Sequence, residues 1–212
     1  MKQKQKTFQL VLTAFFLAIL ILLASVPFLG FIPIGPLNAT TLHIPVIIAS
    51  IVLGPRLGAF LGASFGLISM IRSTIIVTPL SFVFSPFIAP LGASGYGSWK
   101  ALLITFIPRI LIGIVPYYFY RWFEKRMKDR KHGLGLFLAG LLGGIVNTIL
   151  VMNMIYFLFQ GEYAQVIGEA GNAVYVAILS IIFAQGIPEA IVAGIATAGV
   201  ATVLLRFLKK RV

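Results

Sequence analysis

The stretch TFQLVLTAFFLAILILLASVPFL, residues Thr7–Leu29, decides the class of this molecule. From Phe8 it runs about 22 residues without a charge, and an apolar helix needs about 20 to cross the hydrocarbon core of a bilayer. Lys2, Lys4 and Lys6 precede it, which is also how a secretory signal begins. The run is long for the apolar part of such a signal, and its end, Pro27-Phe28-Leu29-Gly30, lacks a small-x-small cleavage site. It reads as a retained first membrane helix.

The rest of the chain repeats that chemistry. Of 212 residues, 59% are hydrophobic and 10% charged, and the mean hydropathy is +1.03. A soluble domain carries about 25% charged residues, so a water-soluble fold would have to hide more apolar surface than its core can hold. The net charge of +12 would suit a nucleic-acid binder. Its distribution does not: most basic residues sit in tight clusters between apolar runs, the pattern of cytoplasmic membrane flanks rather than of a nucleic-acid face. With no cysteine there is no disulfide framework, thiolate nucleophile or thiolate metal site.

Outward from the first span, Gly30–Leu42 is a Pro/Gly-rich connection that disfavours helix. A short second span, His43–Leu53, stops at Gly54-Pro55-Arg56. The third span runs from Leu57 to about Val77, and an irregular stretch with three prolines fills Thr78–Ser98. The fourth span is Trp99–Trp122, the fifth Gly133 to about Phe159, and the last Pro188–Leu208, with Pro188 suited to a first helical turn. Val174–Gln185, about 12 residues, is too short to cross alone. It is either a re-entrant or surface helix, or the first part of the last span, kinked at Pro188.

The expectation is therefore an all-α integral membrane protein, one transmembrane domain over residues 1–212, with six crossings and both termini on one side. Positive charge assigns that side to the cytoplasm: residues 1–6, Gly54–Arg56, Arg121–His132 and Arg206–Val212 hold fourteen of the seventeen Lys and Arg. The long connections then all lie outside the cell membrane.

No catalytic apparatus is legible. There is no Walker A motif, no His-Glu-x-x-His and no plausible Ser/His/Asp set; His43 and His132 lie too far apart to share a metal with acid partners. A chain like this neither hydrolyses nucleotide nor needs a cofactor. What remains is a set of costly polar residues in or near apolar spans. Arg109 is roughly 15 Å deep in the fourth span, and is either a counter-charge for an anionic ligand or half of an internal pair, for instance with Glu189. Arg72, near the outer end of the third span, either binds an anion or snorkels to headgroups. Lys100 beside Trp99 reads as an interface anchor. Asn147 and Asn153, six residues apart, fall on different helix faces. Asn38, Thr40, Thr41 and His43 form a polar cluster before the second span, and Gln185 and Glu189 flank Pro188. Small residues recur four apart at Ala14/Ala18 and at Gly58/Gly62/Gly66, either for internal packing or as a docking face.

The whole chain resembles the S components of energy-coupling factor (ECF) vitamin transporters. The likeness rests on size, six spans, basic termini, the short second helix ending Val52-Leu53-Gly54-Pro55-Arg56, the Ala14/Ala18 pair and the last helix opening at Ile187-Pro188. The stretches Gly35-Pro36-Leu37-Asn38-Ala39-Thr40-Thr41-Leu42-His43 and Thr78-Pro79-Leu80-Ser81-Phe82 are similar to the pantothenate-specific members. The resemblance implies a subunit that captures a vitamin outside and docks through Ala14 and Ala18 on a transmembrane coupling subunit carrying two ATPases. It would then reorient in the membrane to deliver its cargo. Pantothenate, a carboxylate with an amide and hydroxyls, would take an arginine, Arg109 first and Arg72 second. Asn38, Thr40, His43, Asn147, Asn153 and Gln185 would be the neutral donors and acceptors. The alternatives are the same fold for a neutral aromatic precursor of the hydroxymethylpyrimidine kind, or a stand-alone secondary transporter. The lack of an inverted repeat speaks against the second.

Overall fold

In a computed structural model, the protein is described at residues 2–26, 29–34, 37–90, 92, 95–127, 132–169 and 171–209. Helix α1 spans Lys2–Ser25, and a two-stranded hairpin follows, β1 Phe31–Ile34 and β2 Leu37–Thr40. The helices α2 His43–Leu53, α3 Pro55–Ile75, α4 Lys100–Ile112, α5 Val115–Met127, α6 His132–Ile167, α7 Asn172–Ile181 and α8 Ile187–Lys209 complete the bundle.

Five helical segments are long and apolar enough to cross a membrane: Gln5–Ser25, Pro55–Ile75, Lys100–Met127, His132–Ile167 and Asn172–Leu208. The expected sixth crossing, α2, has the expected bounds, but its 11 residues reach only about 16 Å, roughly half the hydrocarbon core. It is apolar all round and is packed as a buried core helix, with Val46, Ile47 and Ala49 at 0% exposure. Gly54, at φ 97°, ends it, and Pro55 starts α3 in the place where a missing N–H costs nothing.

Two expected loops are corrected. The first connection is not plain loop: Phe31 pairs with Thr40 and Ile34 with Leu37 in an antiparallel ladder, a small hairpin on an otherwise helical fold. Pro33 is tolerated because both strands of an isolated hairpin are edges. The stretch from Gln160 to Ile187 is not a long loop either. Helix α6 continues to Ile167 past a kink at Phe159, and α7 runs into α8 through a π-turn at Ile182–Gly186. The Val174–Gln185 segment is thus continuous with the last span. The distortion precedes Pro188, whose ring and missing N–H cannot serve the carbonyl four residues back.

The fourth span is itself broken. Gly113 and Ile114 separate α4 from α5, where Pro116 cannot donate to Ile112 and Gly113 presses on Gly58 of α3. The glycines of α3 settle their own reading as internal packing. A Cβ at Gly62 would collide with the carbonyl of Arg109, and one at Gly58 with that of Gly113. Close α3–α4 approach is therefore written into those positions, and it seats Arg109.

The bundle has two ends. At one, the α2–α3 turn, Arg121, His132 and Arg206 border a common cleft, and Lys6 and Ala14 of α1 lie beside Leu57 and Phe60. Glu124 pairs with Arg121 at this end at 3.4 Å. At the other end lie the hairpin, the turn at Ser81–Val83 and α7. One apolar cluster centres on α2 and a second on the C-terminal half of α6, with Phe82 stacked edge-on to Phe159.

Candidate functional site

A cavity of about 860 Å³, including its open mouth, lies between the two apolar clusters at the hairpin end. Arg109 comes from α4, Ser69, Arg72 and Ser73 from α3, and Asn147, Thr148, Val151 and Met152 from α6. The π-turn contributes Gln185, α8 contributes Glu189, and Phe31 and Thr40 of the hairpin close one wall.

The position of Arg109 follows from its neighbour. Pro108, inside α4, has no N–H to give the carbonyl of Ile104, and Arg109 Nη1 donates to that carbonyl instead at 2.9 Å. The guanidinium carbon lies 5.1 Å from the Phe84 ring centre and 5.5 Å from that of Phe65. Phe84 is held by Thr105, whose hydroxyl donates to the Phe84 carbonyl at 2.9 Å, and its loop by the Thr74–Ser85 hydroxyl pair at 2.7 Å. Arg109 is 4% exposed and, among the described residues, has no carboxylate within ion-pair distance. The internal Arg109–Glu189 pair that the sequence left open is not formed.

Glu189 lines the same cavity but is engaged elsewhere. Its Oε1 accepts from the Thr40 backbone N–H at 3.2 Å and from Gln185 Nε2 at 3.1 Å, which ties the hairpin to α8. Arg72 lies with its guanidinium carbon 4.5 Å from the Phe31 ring centre, inside the lining rather than reaching away from it. Four buried polar atoms of the lining, Arg109 Nε, Asn147 Oδ1, Ser69 Oγ and Thr40 Oγ1, have no hydrogen-bond partner among the described residues. Buried polar atoms are nearly always paired, so such a concentration marks a surface built for a polar guest.

Of the residues singled out in the sequence, Arg109, Arg72, Thr40, Asn147 and Gln185 meet in this cavity. His43 is buried at the start of α2 and is not part of the lining. Asn153 donates to the Ile149 carbonyl at 2.8 Å and faces a separate cleft beside Tyr175 and Phe183. The Asn38 side chain lies outside the described residues. Lys100 donates to the Leu158 carbonyl at 3.4 Å, away from the cavity. Ser69, Ser73, Thr148 and Phe84 were missed; their small polar or apolar side chains give no signal until the helices are paired. Glu189, weighed in the sequence as an ion-pair partner for Arg109, instead lines the same cavity without pairing to it. Among the described residues, no three His, Asp or Glu cluster to hold a metal. Ala14 and Ala18 are exposed on α1.

Substrate capture without chemistry is what a buried, polar-lined cavity in an apolar bundle can do. Residues 8–201 match the family described as ECF transporter, substrate-specific component. The chain belongs to that family, and it is a multi-pass protein of the cell membrane. Among curated proteins, it is 48% identical over 124 residues to the pantothenic acid transporter PanT of Lactococcus lactis subsp. cremoris, a match covering 58% of this chain and 59% of that protein. It is 37% identical over 150 residues to the pantothenate transporter PanT of Leuconostoc mesenteroides subsp. mesenteroides, covering 68% and 66%. The matched regions thus span less than two thirds of the length of either relative.

Proposed function

We propose that this chain is the vitamin-binding subunit of an ECF-type importer and that its substrate is pantothenate. The observation that carries the reading is the Arg109 guanidinium: buried, held over two aromatic rings, and without a carboxylate partner among the described residues. An uncompensated buried charge is expensive, and an anionic ligand completes it with charge-assisted hydrogen bonds. Pantothenate offers a carboxylate to Arg109 and hydroxyl and amide groups to Asn147, Ser69, Thr40 and Gln185. Arg72 stands near the hairpin as a second cation that attracts an anion to the mouth. The names of the two similar transporters agree with this ligand.

The rest of the cycle follows from family membership and charge. The basic end faces the cytoplasm and the cavity end the outside. The sequence carries no Walker A motif, and in this reading inward delivery is driven by a transmembrane coupling subunit and two ATPase subunits, engaged through α1 around Ala14 and Ala18.

Uptake of labelled pantothenate into proteoliposomes tests this. Uptake is expected only when the chain is reconstituted with the coupling subunit and ATPases and supplied with ATP. Uptake by the chain alone would make it a secondary transporter.

A further inference from the structure

We propose that Glu189 is a second pole of the site: it accepts the ligand's hydroxyl groups while Arg109 holds the carboxylate, so the cavity selects acids that carry neutral donors at their far end. This deepens the reading above and rests on it. The two side chains carry opposite charges and line one cavity, yet lie beyond ion-pair distance of each other. Only Oε1 of Glu189 is used within the protein, by Thr40 and Gln185. Oε2 takes no hydrogen bond from any described residue. A carboxylate has no donor to offer at neutral pH and about four lone-pair positions, so its free oxygen asks for O–H or N–H groups and repels a second anion. The wall between the poles is neutral and small, Ser69, Ser73, Asn147 and Thr148. A ligand bound here is therefore oriented by both ends, which a single arginine does not achieve. Because Thr40 belongs to the hairpin and Gln185 to the π-turn, the carboxylate is fixed by two separate elements before any ligand arrives.

The test uses the purified full chain in detergent and three ligands: pantothenate, its alcohol panthenol, which lacks the carboxylate, and the analogue with both hydroxyls replaced by hydrogen. Glu189→Gln keeps an oxygen for the Thr40 N–H, so the hairpin stays tethered. It is expected to weaken pantothenate and panthenol about tenfold or more, the size of a charge-assisted hydrogen bond, and to leave the deoxygenated analogue nearly unchanged. Arg109→Gln is expected to do the reverse, weakening both acids strongly and panthenol little. Because each variant is compared across ligands, a general loss of folded protein cannot imitate this pattern. Equal weakening of all three ligands by Glu189→Gln would reduce the residue to a hairpin anchor and overturn the proposal, leaving the Arg109 reading intact. Unchanged panthenol binding would do the same. If the unaltered chain bound none of the three, the pantothenate reading would fall and this one with it.

Discussion

At the scale of the residue, the site turns on the dipeptide Pro108-Arg109. The proline leaves the Ile104 carbonyl without its helical donor, and the arginine side chain folds back to supply one. The price is a charge held out of water with one hydrogen bond, two aromatic faces and no counter-ion. Buried charges of this kind lower stability unless a ligand completes them. Arg109→Gln is thus expected to weaken pantothenate by about 3 kcal/mol, roughly 150-fold, by calorimetry. The same variant without ligand is expected to melt at least as high as the unaltered chain in detergent, since a site residue is removed rather than a structural one. A large drop in the melting temperature of the empty variant would make Arg109 a scaffold residue instead. The sequence showed the depth of Arg109 but not its surroundings. Glu189 lies eighty positions further on, and no spacing rule says how far apart α4 and α8 hold the two groups.

At the scale of the element, α3 places the site. Its glycines let α4 approach until backbone meets backbone at Arg109 and Gly113. Gly62→Val is expected to push the helices apart, costing about 1–3 kcal/mol and displacing Arg109, so that melting temperature and pantothenate affinity fall together. Gly199, in α8 with open space around it, is the contrast: Gly199→Ala is expected to leave binding unchanged and to raise stability by about 0.5–1 kcal/mol. Thermal unfolding of the two variants checks both. Elements with strong local signals were legible: α2 ends where Gly54-Pro55 dictates, α3 begins there, and the kink of α6 at Phe159 falls where the fifth span was expected to stop. The hairpin was not, because Pro33 interrupts the first strand, Pro36 directly precedes the second, and runs of four residues leave no alternation to read. Nor was the π-turn. Pro188 announced a distortion, but whether a helix bends, breaks or widens ahead of a proline depends on the neighbours, here Thr148 against Gly186.

At the scale of the whole molecule, the cleft bordered by Arg121, His132 and Arg206 and the cavity around Arg109 are lined by different parts of the bundle, and the basic clusters of the sequence assign the first to the cytoplasmic side. Its side is testable because the chain has no cysteine. Tyr96→Cys, at a position 93% exposed near the cavity end, is expected to react with an impermeant maleimide added outside intact cells, and Gln3→Cys is expected not to. The reverse pattern would invert the topology. Helix α1 is the least covered of the spans, with Leu10, Phe15 and Leu22 exposed together with Ala14 and Ala18. Ala14→Leu with Ala18→Leu is expected to leave pantothenate binding unchanged while abolishing energised uptake, measured in the reconstituted complex. Binding by the isolated chain is the claim on which all of this depends. It is tested most directly by calorimetric titration of the purified protein with pantothenate beside a panel of other vitamins. The expected result is tight, selective, one-to-one binding of pantothenate that Arg109→Gln removes. Tight binding of a different, uncharged vitamin that survives Arg109→Gln would contradict it.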